Sequence, residues 1–200
     1  MPGTTDVIHN PAMGARIEFR ARSRDTAGSF LEFDFFLRPG GVVATDHLHP
    51  HQEERFDVVS GVMTGHVAGR EQTLGPGGSS VVPAGVPHAW HNAGDTEAHL
   101  RVRFRPALHV EELFAIVFAL GAEGRADERG VPDFPLRLAL LAAFPDEFRP
   151  AAMPGPVHRV LVRALASHGR RLRSRYAERV LSKDRKNQFP QRLPAPTASE

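Results

Sequence analysis

The feature that most limits the fold is a rhythm. From about residue 14 to 106, short alternating or aromatic-rich runs recur, separated by Gly, Pro, Asn and Asp. RIEFRARS alternates, SFLEFDFFLR carries aromatics at strand spacing, and GVVATDHLH, RFDVVSG, VMTGHVAG, SSVVPAG, PHAWHN and AHLRVRFRP follow. PGG at 39–41, GPGG at 75–78 and NAGD at 92–95 supply the turns. No helical period interrupts the series, so the expectation is an antiparallel sandwich or barrel and not a parallel α/β sheet.

The period changes at about residue 107. HVEELFAIVFALG places Val110, Leu113, Phe114, Val117 and Phe118 on one helical stripe, with acids in the first turn and Gly121 as a stop. DFPLRLALLAAF reads as a second helix, with Asp133 as N-cap and Pro145 ending it. PGPVHRVLVRALASHGRRLRSRY reads as a third, its stripe running through Val157, Val160, Leu161, Ala164 and Leu165, with Gly169 a weak point. The expected organisation is a β-barrel over 1–106 and a helical extension over 107–181, packed on the barrel or at a homodimer interface. A disordered, Pro-rich polar tail is expected over 182–200.

Composition narrows the chemistry. Cysteine is absent, so disulfides, thiolate nucleophiles and zinc–sulfur sites are excluded, and any metal is held by nitrogen and oxygen. The formal charge of +2 divides unevenly: residues 1–150 carry a net −6 and residues 151–200 a net +8. No nucleic-acid motif accompanies the basic segment, so it is expected to lie on the acidic body of its own chain or in solvent. The third helix lacks bulky aromatic anchors, which argues against a membrane surface. No basic-then-apolar leader opens the chain and no apolar run approaches a membrane span, so a cytoplasmic location is the expectation.

The stretch DHLHPHQEE, residues 46–54, holds three histidines and two glutamates that are potential metal ligands. Side chains two apart on a strand share a face, so His47 and His49 point the same way. Pro50 interrupts the strand and leaves His51 in the following loop. On the returning strand Glu54, Phe56 and Val58 share one face, and Glu53, Arg55 and Asp57 share the other. The face with Phe and Val looks inward, which buries Glu54, and a buried carboxylate needs a cation or a partner.

The stretch Gly41-VVATD-His47-L-His49-PHQE-Glu54-RFDVVS-Gly61 matches G-x5-H-x-H-x(3–4)-E-x6-G at every fixed position. Gly77-GSSVV-Pro83-A-Gly85-VP-His88-AWH-Asn92 matches G-x5-P-x-G-x2-H-x3-N, again without a departure. Together, in order and closely spaced, they resemble the two motifs of the cupin superfamily over roughly residues 30 to 106. The resemblance implies a double-stranded β-helix, or jelly-roll barrel, with a metal bound inside. It implies His47, His49, Glu54 and His88 as ligands, and the donor set suits Fe(II), Mn(II), Ni(II), Cu(II), Co(II) or Zn(II).

Four protein ligands on a six-coordinate ion leave positions for a chelating substrate, so the favoured function is a metal-dependent small-molecule enzyme. Within the family, short single-barrel forms with such ligands are similar to quercetinase-like and ring-cleaving dioxygenases. The oxidation of an aromatic or enediol-type substrate is therefore the expectation, with an isomerase in reserve. A non-catalytic module that binds metal or ligand and acts through the helical extension is the alternative. Phe56, Val58, Met63 and Trp90 are the expected pocket residues, and His66 and His51 the candidate general bases. His91 is expected at the surface, Asn92 in turn hydrogen bonds, and Pro83 and Gly85 as turn formers.

Overall fold

The computed structural model describes residues 7–43 and 45–188, with side chains through Tyr176. Ten strands come first: β1 (Val7–Asn10), β2 (Ala15–Ala21), β3 (Leu31–Leu37), β4 (His47–Leu48), β5 (Glu53–Ser60), β6 (Met63–Val67), β7 (Arg70–Leu74), β8 (Ser79–Val82), β9 (His88–Asn92) and β10 (Ala98–Arg105). Helices α1 (Val110–Ala122) and α2 (Phe134–Ala143), the short strand β11 (Arg149–Pro150) and helix α3 (Gly155–Gln188) follow.

The strands form two sheets, ordered β1-β2-β3-β10-β5-β8 and β11-β4-β9-β6-β7, with every pairing antiparallel. Alternation sets which side chains enter the space between them. On β5, Glu54, Phe56 and Val58 are buried, while Glu53, Arg55 and Val59 are exposed. On β10, Ala98, Leu100, Val102 and Phe104 are buried in the same way. The inward residues close a core that includes Phe33, Phe35, Phe56, Trp90 and Phe104. The architecture is mainly β, a double-stranded β-helix with a helical extension.

Several local expectations need correction. Among the described residues of the run from Gly41 to His49, His47–Leu48 form a strand, with an isolated bridge from Val42 to His91 before it. Gly121 does not stop α1. It is buried inside the helix, where an added Cβ would lie 2.0 Å from Asn10 Oδ1. The reversal comes at Gly124, with φ +70, where the Arg125 amide donates to Leu120 O at 2.9 Å.

The apolar residues of α1 also serve two cores. Val110 and Phe118 are buried in the barrel core, with Phe114 against it, while Ile116 and Leu120 join a second core with α2 and α3. Asp133 occupies the N-cap position of α2 without a side-chain capping bond, and its main-chain oxygen takes the Leu136 and Arg137 amides.

The stripe expected for α3 is rotated: Val157 and Val160 are exposed, and the buried positions among its described side chains are His158, Gly169, Leu172 and Tyr176. The helix runs without a break through Gly169 to Gln188, past the expected start of the tail at 182, and residues 189–200 lie outside the described residues. Part of its charge meets the acidic body as expected, since Arg173 pairs with Glu112 at 2.6 Å. Among the described residues no helix is long and apolar enough to cross a membrane.

Candidate metal centre

Two strand pairs and one turn bring four side chains to one point. His47 lies on β4 directly opposite His88 on β9. His49 follows β4, and its main-chain oxygen accepts the Gly85 amide at 2.8 Å, so the Pro83–Gly85 turn docks on the histidine strand. Glu54 reaches in from β5, which belongs to the other sheet. The three imidazole centroids are 4.4 to 5.2 Å apart. One ligand atom from each residue falls within 4.8 Å of all the others, so the cluster can hold a metal ion. That span is near twice a metal–nitrogen bond of about 2.1 Å. His49, Glu54 and His88 are buried and His47 is half-buried.

The hydrogen bonds fix which nitrogen of each ring is free. His47 Nδ1 lies 2.8 Å from Thr45 O, His88 Nδ1 3.1 Å from Val86 O, and His49 Nδ1 2.6 Å from Glu147 O. A main-chain carbonyl only accepts, so all three Nδ1 atoms carry protons. In the neutral ring Nε2 is then the lone-pair nitrogen. Glu54 Oε2 faces Nε2 of His49 at 3.2 Å and Nε2 of His88 at 2.9 Å. Two imidazole lone pairs against a carboxylate repel one another unless a proton or a metal cation lies among them. The donor set therefore fits a divalent ion.

In the absence of an ion, a proton on an imidazole Nε2 supplies the positive charge that Glu54 faces. Burial alone would raise the Glu54 carboxyl, but the facing imidazoles of His49 and His88 pull it down to about 2. Burial, then the neighbouring His49 and His88, lower His47 to about 3. Burial works against a charge on His88 too, yet the Glu54 contact raises it. The site keeps its carboxylate ionised and calls for positive charge opposite it.

The remaining expected site residues divide by location. Phe56, Val58, Met63 and Trp90 all lie in the barrel interior. Phe56 lies near both His88 and Trp90, with ring centroids 6.4 Å and 5.6 Å away. His66 projects outward from β6, with Nε2 3.2 Å from Asp46. His51 is exposed in the β4–β5 turn and lies 3.5 Å from Asp146. Neither belongs to the convergent four.

His91 is exposed. Asn92 bonds the Gly94 amide within its turn, but it is also buried, with Nδ2 near the oxygens of Leu37, Arg38 and Thr96. It ties the second motif to the end of β3.

Sequence reasoning missed Glu147. Its carbonyl holds His49 across 98 residues of chain, and no spacing or period signals such a contact.

The chain is a two-sheet antiparallel β-protein in which three histidines and one glutamate converge as a cluster that could hold a metal ion. Residues 33–104 match the family model described as a cupin domain.

Several solved structures are similar to part of the chain. A sugar phosphate isomerase of the cupin superfamily from Silicibacter pomeroyi is 22% identical over 51% of this chain and 71% of its own, with a TM-score of 0.44. An RmlC-like cupin from Shewanella frigidimarina is 21% identical over 54% and 89%, TM-score 0.46. A predicted oxalate decarboxylase from Thermotoga maritima is 20% identical over 52% and 94%, TM-score 0.44. No curated protein matches the chain.

Proposed function

We propose that His47, His49, Glu54 and His88 hold one divalent transition-metal ion, and that the barrel presents it to a small chelating molecule as a dioxygenase-like enzyme acting on an aromatic or enediol-type substrate. The observation that carries this reading is the convergence of three Nε2 lone pairs and a carboxylate, with each Nδ1 proton directed to a main-chain oxygen. When bound, such an ion supplies Lewis acidity and an anchor for substrate oxygen. Of the four ligands, His47 is the one that is half-buried. Phe56 and Trp90 give the interior an aromatic wall beyond His88, which suits an apolar or aromatic body more than a sugar phosphate.

Elemental analysis after anaerobic purification should find about one metal ion per chain. His47→Ala and His88→Ala should lose it, Glu54→Ala should hold it weakly, and Glu53→Ala should keep it. Stoichiometric metal in either histidine variant, or the reverse order for the two glutamates, would overturn the assignment. Oxygen uptake with enediols, catechols and flavonols then tests the reaction class.

A second reading, a non-catalytic metal- or ligand-binding module acting through its extension, draws on two observations. His51 and His66 face outward toward Asp146 and Asp46, and the extension adds strand β11 to the histidine strand itself. Metal uptake without turnover on any of these substrates favours this module.

A further inference from the structure

The three ligand histidines are not held alike. Thr45 and Val86, which orient His47 and His88, each stand two residues before the ring they hold. His49 instead donates Nδ1–H to the carbonyl of Glu147, between α2 and β11, at 2.6 Å. The barrel alone does not supply this acceptor.

The segment that carries it is fastened at several points. The buried Glu147 carboxylate accepts the His109 amide at 3.1 Å, at the N-cap position of α1. Anionic charge there is favoured by the helix dipole as well as by the bond. Arg149 and Pro150 pair with Leu48 and His47, and the Ala151 amide donates to Asp46 O at 3.1 Å. His51 meets Asp146 on the outside. Residues 144–151 thus form a clasp over the strand that bears two of the four ligands.

We infer that Glu147 is a positioning residue for the metal centre: its carbonyl fixes the tautomer and tilt of His49, and its carboxylate fixes that carbonyl through α1. This inference rests on the metal-binding reading above and adds that the helical extension sets the affinity of the site. Hydrogen-bond partners of ligand histidines commonly change metal affinity by about 10- to 100-fold when removed. By reciprocity, the ion tightens the clasp.

The test compares the full-length chain with Glu147→Ala and Glu147→Gln, using Zn(II) competition against a chelating indicator and the visible spectrum of the Co(II)-loaded protein. Glu147→Gln keeps an acceptor for the His109 amide and should stay within about threefold of wild type. Glu147→Ala should bind at least about tenfold more weakly and show an altered Co(II) spectrum. Unchanged affinity and spectrum in a folded Glu147→Ala protein would overturn the inference while leaving the metal site standing. A wild-type chain that binds no metal overturns both.

Should Glu147→Ala fail to fold, hydrogen exchange on the wild type decides the matter. Zn(II) should slow exchange at the Ala151 and His109 amides, and equal rates with and without the ion refute the coupling.

Discussion

At Gly65 on β6 the two faces of a sheet leave no room for a methyl group. Gly65 pairs with Trp90, and an added Cβ would lie 2.0 Å from Ala89 O and 2.9 Å from both Trp90 Cα and Cε3. Two of those atoms are main chain of β9, two residues or fewer from His88, so they cannot yield by a rotamer change. Gly65→Ala should therefore push β9 away and destabilise the barrel by about 1–3 kcal/mol, the range of overpacked interiors. Urea unfolding followed by Trp90 emission measures this, since it is the sole tryptophan and is buried. A loss below about 0.5 kcal/mol would show that β9 shifts freely. Much of the site was legible at this scale. Parity alone separates Glu54 from Glu53, because the pleat alternates whatever the surroundings. The partner of His49 was not legible, because a carbonyl 98 residues away leaves no mark on side-chain pattern.

At the scale of elements, period told helix from strand but not which face meets what. The alternating runs became strands because each buries one side against the opposite sheet. Strand β11, an Arg-Pro pair, is too short to carry any period and exists because β4 offers it an edge. Helix α3 shows the limit most clearly. Val157 and Val160 look like core in the sequence, yet they face outward, and the packed line runs through Gly169, Leu172 and Tyr176. Gly169 reads as a flaw in the helix and is instead a point where it packs tightly on α2. A Cβ there would lie 2.7 Å from Ala142 C and from Ala143 N. Propensity favours Gly169→Ala by about 1 kcal/mol, but main-chain atoms on both sides of the crossing cannot step aside. The substitution should lower the thermal midpoint. A raised midpoint would mean that α3 slides on α2 and that propensity wins.

Over the whole molecule the question is whether barrel and extension unfold together. Their cores are distinct, one among the strands and one among the helices, but α1 belongs to both. Its Phe114 ring lies 5.3 Å from Phe33 and 6.0 Å from Phe104, and Phe104 in turn sits 5.0 Å from His49. On its other side Ile116 and Leu120 pack with Leu140, Phe144 and Tyr176, whose hydroxyl donates to Glu123 at 2.8 Å. Opening the helical core removes the support of α1, and with it both the Glu147 anchor and one wall of the barrel core. Leu140→Ala, a truncation in the helical core, should cost about 2–5 kcal/mol. If the two cores form one cooperative unit, Trp90 emission and helical circular dichroism must lose their midpoints together, since coincident probes mark a two-state transition. A shift in the helical signal alone, with Trp90 unmoved, would show that the extension opens independently. Each such opening would leave His49 without its carbonyl, so metal affinity would then fall in proportion to the open fraction.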